Sequence, residues 1–282
     1  MKLPRFEYAA PATLAEAIAL LAQGNAKALA GGQSLIPTMA FRLAAPALLV
    51  DLRRIQGLGE IKITAKAIHI GSRVRWRDIE RDARLKSAHP LLVAAIAQVA
   101  HYQIRNRGTV GGSLAHADPA AEMPGIAVTC DAEILVAGSS GERIIPAGEF
   151  FTGPLSTLLA EDELITEVRL PAWPANRRWG FEELARRRGD FAIAGVAAFY
   201  DVDGEGKASN AHIGVIGACT RPHRIAQAEA ALNGRAANAA AIQGAARAAE
   251  KAVEPPGDLH ASSAYRRSLV GTLLERALGG AR

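Results

Sequence analysis

Absences narrow the possibilities first. Only two cysteines, Cys130 and Cys219, stand in 282 residues. An Fe–S cluster or a structural zinc takes about four ligands, so the cysteines alone hold neither. They read as buried or free thiols in a reducing compartment. No stretch of about 18 apolar residues is present to cross a bilayer. The apolar segment at residues 14–22 is interrupted by Glu16 and followed by Gln23 and Gly24, which does not suit a signal peptide. A cytoplasmic protein without a membrane span is expected. Aromatics make up only 5%, and the basic residues are scattered apart from Arg177-Arg178 and Arg186-Arg187-Arg188. A nucleic-acid binder gathers its cations into a stripe with interleaved aromatics, so a formal charge of +5 does not point to nucleic acid.

Familiar catalytic signatures are missing too. No G-x-G-x-x-G follows a strand and opens a helix, and there is no Walker A motif. Gly204-Glu205-Gly206 falls between two expected strands and reads as a hairpin loop. The seven histidines show no H-E-x-x-H spacing, so a zinc enzyme is not indicated, and His116, His212 and His223 read as structural or exposed. Gly111-Gly112-Ser113-Leu114-Ala115 approaches the nucleophile elbow G-x-S-x-G but ends in alanine. His116 and Asp118 are too near in sequence to serve as triad partners, which come from distant elements. Glu161-Asp162-Glu163 reads as a solvated turn rather than a metal site.

What is present is 49% hydrophobic and long enough for two domains. Thr13 and Glu16 have capping-box spacing and open a helix through Gln23 that Gly24 ends. Strands at residues 26–30 and 48–52 flank a second helix that Ser34 would cap and that runs to Arg42. The first ~55 residues thus form a small β-α-β-α-β unit. Ile61, Ile63, Ile68 and Ile70 alternate as a hairpin around Ala65-Lys66. Helices are expected at 76–84, 90–101 and 123–128, with an irregular basic stretch at 104–109. A second hairpin covers 133–146, and an alternating strand covers 164–170. Pro171-Ala172-Trp173-Pro174 marks a boundary. Beyond it come two strands, at 195–202 and 211–217, and helices at 225–232, 236–253 and 265–278. The C-terminal domain reads as β-β-α-α-like, and the class as α+β.

Two glycine pairs carry the chemistry. One is Gly31-Gly32 in A-G-G-Q-S-L-I-P, from Ala30 through Gln33, Ser34 and Leu35. The other is Gly111-Gly112 in T-V-G-G-S-L-A-H-A-D-P-A-A-E, from Thr109 and Val110 through Ser113 to Asp118 and Glu122. Glycine reaches φ > 0 cheaply and admits close approach to the backbone. Successive free N–H groups in such turns form a concave anion site. Either pair alone could be a plain turn. Both sit where a strand is expected to give way to a helix, and side-chain donors follow both. Together they point to a phosphate or dinucleotide cofactor, with a side chain at Gly32 or Gly112 expected to fill the space of the pyrophosphate.

Five segments, in register along the chain, resemble the FAD-binding medium subunit of molybdenum hydroxylases, of the aerobic carbon-monoxide dehydrogenase type and related to the FAD domain of xanthine dehydrogenase. They are the two glycine segments, F-x-Y-x-x-P-x-T-L-x-E-A from Phe6, F-x-x-x-x-R-R-x-G-D-F-A from Phe181, and Y-R-x-x-L from Tyr265. The resemblance implies a PCMH/vanillyl-alcohol-oxidase-type FAD domain over residues 1–174, made of two α/β subdomains at 1–57 and 58–174. A small C-terminal α+β domain at 175–282 would follow. It implies non-covalent FAD, with the pyrophosphate held at Ala30, Gly31, Gly32, Gln33, Ser34 and Leu35 and at Thr109, Val110, Gly111, Gly112 and Ser113. Asp118 and Glu122 fall at cofactor-contacting positions, Leu164 and Ile165 on the strand passing the flavin, and Phe191 near the flavin or the domain interface. Glu182 stands where xanthine dehydrogenase relatives have lysine, and Val99 where some have an aromatic ring. The implied partners are a small [2Fe–2S] subunit and a large molybdopterin subunit, in a dimer of heterotrimers. The implied activity is electron transfer from those clusters through FAD to an external acceptor, with no catalytic side chain in this chain. A self-contained flavin oxidase or reductase of the same fold, or a flavin-free scaffold, would be the alternatives.

Overall fold

The computed structural model describes residues 2–281. The chain opens with β1 (Glu7–Ala9), α1 (Leu14–Leu21), β2 (Ala26–Leu29), α2 (Leu35–Ala40) and β3 (Leu48–Asp51). The strands form a parallel sheet in the order β1-β3-β2, as the two helical crossovers require. The α1 capping box is complete: Thr13 Oγ1 accepts from the Glu16 N–H at 3.2 Å, and Glu16 Oε2 accepts from the Thr13 N–H at 3.3 Å. Both helices are shorter than expected, and Ser34 gives α2 no side-chain cap. Ala17, Leu21, Val50 and Leu52 build this unit's core together with Leu164, more than a hundred residues later in the chain.

The second unit runs through β4 (Ile61–Ile63), β5 (Ala67–Gly71), α3 (Trp76–Arg81), α4 (Ala83–Ala88), α5 (Pro90–Ile96), α6 (Tyr102–Arg105), α7 (Val110–His116) and α8 (Glu122–Thr129). It continues with β6 (Glu133–Gly138), β7 (Gly141–Pro146), α9 (Ala147–Phe150), β8 (Phe151–Gly153), β9 (Ser156–Thr157) and β10 (Leu164–Pro171). The expected isoleucine hairpin forms, with Ile61 opposite Ile70 and Ile63 opposite Ile68. The last strand, β10, enters the middle of an antiparallel sheet ordered β4-β5-β10-β6-β7. The helix expected at 76–84 breaks in two, because Asp82 leaves the helical region and accepts from the Arg84 N–H at 3.0 Å. The helix expected at 90–101 ends at Ile96, and the stretch at 104–109 begins inside the single turn of α6.

The C-terminal unit has more strands than the sequence suggests: β11 (Arg178–Leu184), β12 (Ala194–Val202), β13 (Ala208–Ile216) and β14 (His223–Arg224), antiparallel in that order. They are followed by α10 (Ala226–Leu232), α11 (Ala239–Ala252) and α12 (Ser263–Gly279). The expected β-β-α-α pattern is thus corrected to four strands and three helices. The sheet packs on both faces. Val196, Ala198, Ile213 and Val215 meet the helices, whereas Ala197 and Phe199 join the core of the second unit. Gly180 of β11 lies so close to α12 that a Cβ there would be 2.8 Å from Ala277 Cα. Arg177 fastens the junction: its guanidinium lies 4.1 Å from the Phe199 ring centroid, and its Nε donates to Asp201 at 2.8 Å.

Candidate functional site

The two glycine pairs meet in space but are built differently. β2 delivers the chain into Ala30, Gly31 and Gly32. Gly32 has φ +72, a left-handed conformation that favours glycine. The N–H groups of Gly31, Gly32, Gln33 and Ser34 donate to no acceptor among the described residues. The Gln33 side chain turns back on the loop, donating to the Gly31 carbonyl at 3.2 Å. Ile36 N–H and Thr38 Oγ1 close the following turn on the carbonyls of Gly32 and Ser34. A run of free N–H groups about one left-handed residue is a concave anion cradle.

Around Gly111-Gly112 the backbone is already satisfied. Val110 N–H donates to the Val74 carbonyl at 3.0 Å and Gly111 N–H to the Ser72 carbonyl at 2.8 Å. Gly112 N–H donates to Thr109 Oγ1 at 3.2 Å, and Ser113 N–H to the Thr109 carbonyl at 3.0 Å. This pair is therefore the first turn of α7 rather than a loop, and neither glycine has positive φ. Its glycines provide space. A Cβ on Gly111 would lie 2.9 Å from the Ser72 carbonyl oxygen, and one on Gly112 would lie 2.7 Å from Thr109 Oγ1 and 3.9 Å from Ala30 Cβ. A Cβ on Gly31 would collide with the Arg107 carbonyl and lie 2.9 Å from Gly108 Cα. The two segments are thus in mutual contact. A side chain at Gly32 would meet Leu29 and Ile36 at 3.2 Å, and one at Gly112 the Thr109 hydroxyl. Beside the expected filling of pyrophosphate space, a side chain at either position therefore carries a cost in backbone conformation or packing. The residues fit a dinucleotide: an anion cradle in one segment, a close-packed floor in the other, and a buried Ser72 Oγ without a hydrogen-bond partner beneath them.

Downstream lie the acidic residues. Asp118 Oδ1 accepts from the Ala120 N–H at 2.9 Å and shapes the turn between α7 and α8. Glu122 starts α8 and is 6% exposed. Burial pushes its carboxyl up to about 7, helped by the charge of Asp118. Sequence reasoning missed Glu183, whose carboxyl burial and Glu122 together push up to about 8, and whose Oε2 is buried without a hydrogen-bond partner. Leu164 and Ile165 are buried, one in each neighbouring core. The bulge after Ile165 leaves the Thr166 carbonyl to accept from the Ser72 N–H at 3.0 Å, beside Gly111. Phe191 is exposed.

The other candidates have structural roles. Both cysteines are buried, and burial pushes their thiols up to about 12. No metal-binding cluster of His, Cys, Asp or Glu occurs among the described residues. His212 Nδ1 pairs with the Thr129 carbonyl at 2.8 Å. Glu163 pairs with Arg143 Nε at 2.7 Å, and Asp162 accepts from the Ser139 N–H at 2.9 Å, so the acidic run is a fastened turn. No helix among the described residues is long and apolar enough to cross a membrane.

Comparison with known proteins agrees with this geometry. Residues 4–173 match the family described as FAD binding domain in molybdopterin dehydrogenase, and residues 179–281 match the CO dehydrogenase flavoprotein C-terminal domain. The chain is 39% identical to the 6-hydroxypseudooxynicotine dehydrogenase complex subunit alpha of Paenarthrobacter nicotinovorans, covering 100% of this chain and 96% of that protein. It is 37% identical to the carbon monoxide dehydrogenase medium chain of Hydrogenophaga pseudoflava, covering 99% and 97%. The solved carbon monoxide dehydrogenase from Hydrogenophaga pseudoflava that lacks the Mo-pyranopterin moiety of its molybdenum cofactor superposes with a TM-score of 0.95 at 39% identity, over 99% of this chain and 98% of that one. With both family matches side by side along nearly its whole length, the chain belongs to the FAD-binding medium-subunit family of the molybdopterin dehydrogenases.

Proposed function

We propose that this chain is the FAD-carrying, electron-transferring medium subunit of a cytoplasmic molybdenum hydroxylase. Its partners are a small subunit with [2Fe–2S] clusters and a large molybdopterin subunit, assembled as a dimer of heterotrimers. Substrate is oxidised in the large subunit, and electrons leave through this chain to an external acceptor. The observation that carries this reading is the run of free N–H groups from Gly31 to Ser34 packed on Arg107, Gly108 and the first turn of α7.

The FAD domain is assigned to residues 1–174, with subdomains 1–57 and 58–174, and the C-terminal domain to 175–282. Within it, Ala30, Gly31, Gly32, Gln33, Ser34 and Leu35 form the pyrophosphate cradle. Thr109, Val110, Gly111, Gly112 and Ser113 hold that cradle in shape and offer it the Ser113 hydroxyl. Asp118 and Glu122 lie at the positions where the cofactor is contacted, and the backbone at Leu164 and Ile165 borders the ring. FAD supplies a two-electron store, and attachment is non-covalent. The protein's own work is binding, orientation and exclusion of water.

The test is the visible spectrum of the purified chain after incubation with FAD and desalting. About one FAD per chain, released intact by denaturation, is expected. A colourless chain would favour a flavin-free scaffold. Rapid reduction of the bound flavin by a small substrate or a nicotinamide, without partner subunits, would favour a self-contained flavoenzyme.

A further inference from the structure

Glu183 reaches the seam between the two domains through strand alternation. On β11, Trp179 and Phe181 pack toward the FAD-domain core, while Leu184 packs with the helices. Alternation puts Glu183 on the side of Trp179 and Phe181, and Glu182 on the other. Glu183 pairs in register with Gly195, and Gly195 with Ile216. Because Gly195 has no side chain, its neighbours close over it. A Cβ there would lie 3.4 Å from Glu183 Cγ and 3.3 Å from Ile216 Cβ. Ile216 in turn presses on α8, where a Cβ on Gly125 would lie 2.8 Å from Ile216 Cδ1. Glu122 precedes Gly125 by three residues and shares its helix face. The FAD domain and the C-terminal domain therefore each direct one carboxyl group toward the same glycine-lined row.

Among the described residues, cations of the packed elements have partners of their own: Arg224 of β14, which packs on α8, donates to Asp131 at 2.8 Å and to Glu229 at 2.9 Å. Glu122 is the only charged residue of α8, and α5 has none. Asp118, in the turn before α8, adds a like charge. His212 lies on the seam face of β13 but is bonded to the Thr129 carbonyl at the far end of α8. On β12, Asp201 is paired with Arg177. Arg266 of α12 donates to the Ile193 carbonyl, to the Gly217 carbonyl at 3.0 Å and to Asp258 at 2.6 Å, and its buried Nε has no hydrogen-bond partner among the described residues.

We propose that Glu122 and Glu183 share one proton across the seam between the FAD-binding and C-terminal domains, and that capture of FAD is linked to that proton. The linkage rests on the cofactor reading above. Two poorly solvated carboxylates that feel one another's charge and have no bonded cation do not both ionise readily near neutral pH. FAD brings the negative charge of its pyrophosphate to the Gly31–Ser34 cradle, against the start of α7, and α8 follows α7 after one short turn. Added negative charge favours the protonated pair, so binding takes a proton from solvent. By reciprocity, affinity falls as pH rises.

The full-length chain provides the test. FAD binding is followed by calorimetry in two buffers of different ionisation enthalpy, between pH ~6 and ~9, and carboxyl carbons of the cofactor-free chain are titrated by NMR. Net proton uptake is expected near neutral pH, with affinity falling by up to about tenfold per pH unit where a whole proton is linked. Glu183→Gln and Glu122→Gln should each flatten that dependence. A cofactor-free chain in which no glutamate carboxyl titrates above pH ~6 overturns the shared proton. Uptake that persists unchanged in Glu183→Gln overturns its assignment to this pair. A chain that titrates as expected but captures no FAD overturns the cofactor reading and the linkage with it, and leaves the shared proton standing.

Discussion

Gly31-Gly32 and Gly111-Gly112 are the same dipeptide put to opposite uses. At the first pair a left-handed Gly32 turns four N–H groups away from any acceptor among the described residues. At the second, the backbone is helical and its N–H groups are occupied by Ser72, Val74 and Thr109. One pair exposes donors, and the other removes bulk so that Ser72 and Ala30 can close in. Glycine's freedom of φ and its lack of a side chain are separable properties, and each pair draws on a different one.

Substitutions can break that comparison. The largest effect is expected from Gly111→Val. Its branched side chain would be driven into the Ser72 backbone and should destabilise the fold by about 3 kcal/mol or more, read as a lowered urea midpoint. Gly32→Ala should behave differently. The strained left-handed backbone costs about 1–2 kcal/mol, and FAD affinity should fall at least tenfold if the loop relaxes and its N–H groups disperse. Fluorescence titration with FAD measures this, and affinity unchanged in a folded Gly32→Ala would remove the cradle from its role. Gly112→Ala should be milder. It displaces the Thr109 hydroxyl that caps α7, at about 1 kcal/mol, with a smaller loss of FAD affinity.

The last effect concerns pH. Glu122 and Glu183 have carboxyl groups pushed up to about 7 and about 8 in the fold, mainly by burial. The folded state therefore holds protons that the unfolded chain releases in the ordinary carboxylate range. Their contribution is fully present in acid, below that range, and is lost as pH rises through about 7 to 8. Thermal denaturation of the cofactor-free chain should show declining stability up to that point and a plateau beyond it. In Glu183→Gln the decline should be shallower and end at lower pH.

Much of the molecule was legible because local signals and global packing agree. Thr13 and Glu16 make the cap their spacing promises, and the four isoleucines of the first hairpin pair as alternation requires. The strand β11 was not legible: Arg178, Gly180, Glu182 and Glu183 interrupt its apolar pattern, because one of its faces lies against α12 at a glycine and the other against a second domain. Nor was the different use of the two glycine pairs, since hydrogen bonds to Ser72 and Val74 come from residues remote in sequence. Glu183 escaped notice for the same reason: its surroundings are created by α8, some sixty positions earlier.

Leu164 carries a consequence for the order of events during synthesis. It sits in the core of the first unit with Ala17, Leu21, Val50 and Leu52, although its strand belongs to the second sheet. A ribosome that has released only the first ~55 residues has released a unit lacking one wall. That unit closes only after β10 has emerged and entered its sheet, so the start of the chain waits for residue 164. Limited proteolysis of stalled nascent chains should show the N-terminal unit cleavable at short lengths and protected once β10 is out. Protection already complete in the short chains would show that Leu164 joins a unit that has already folded.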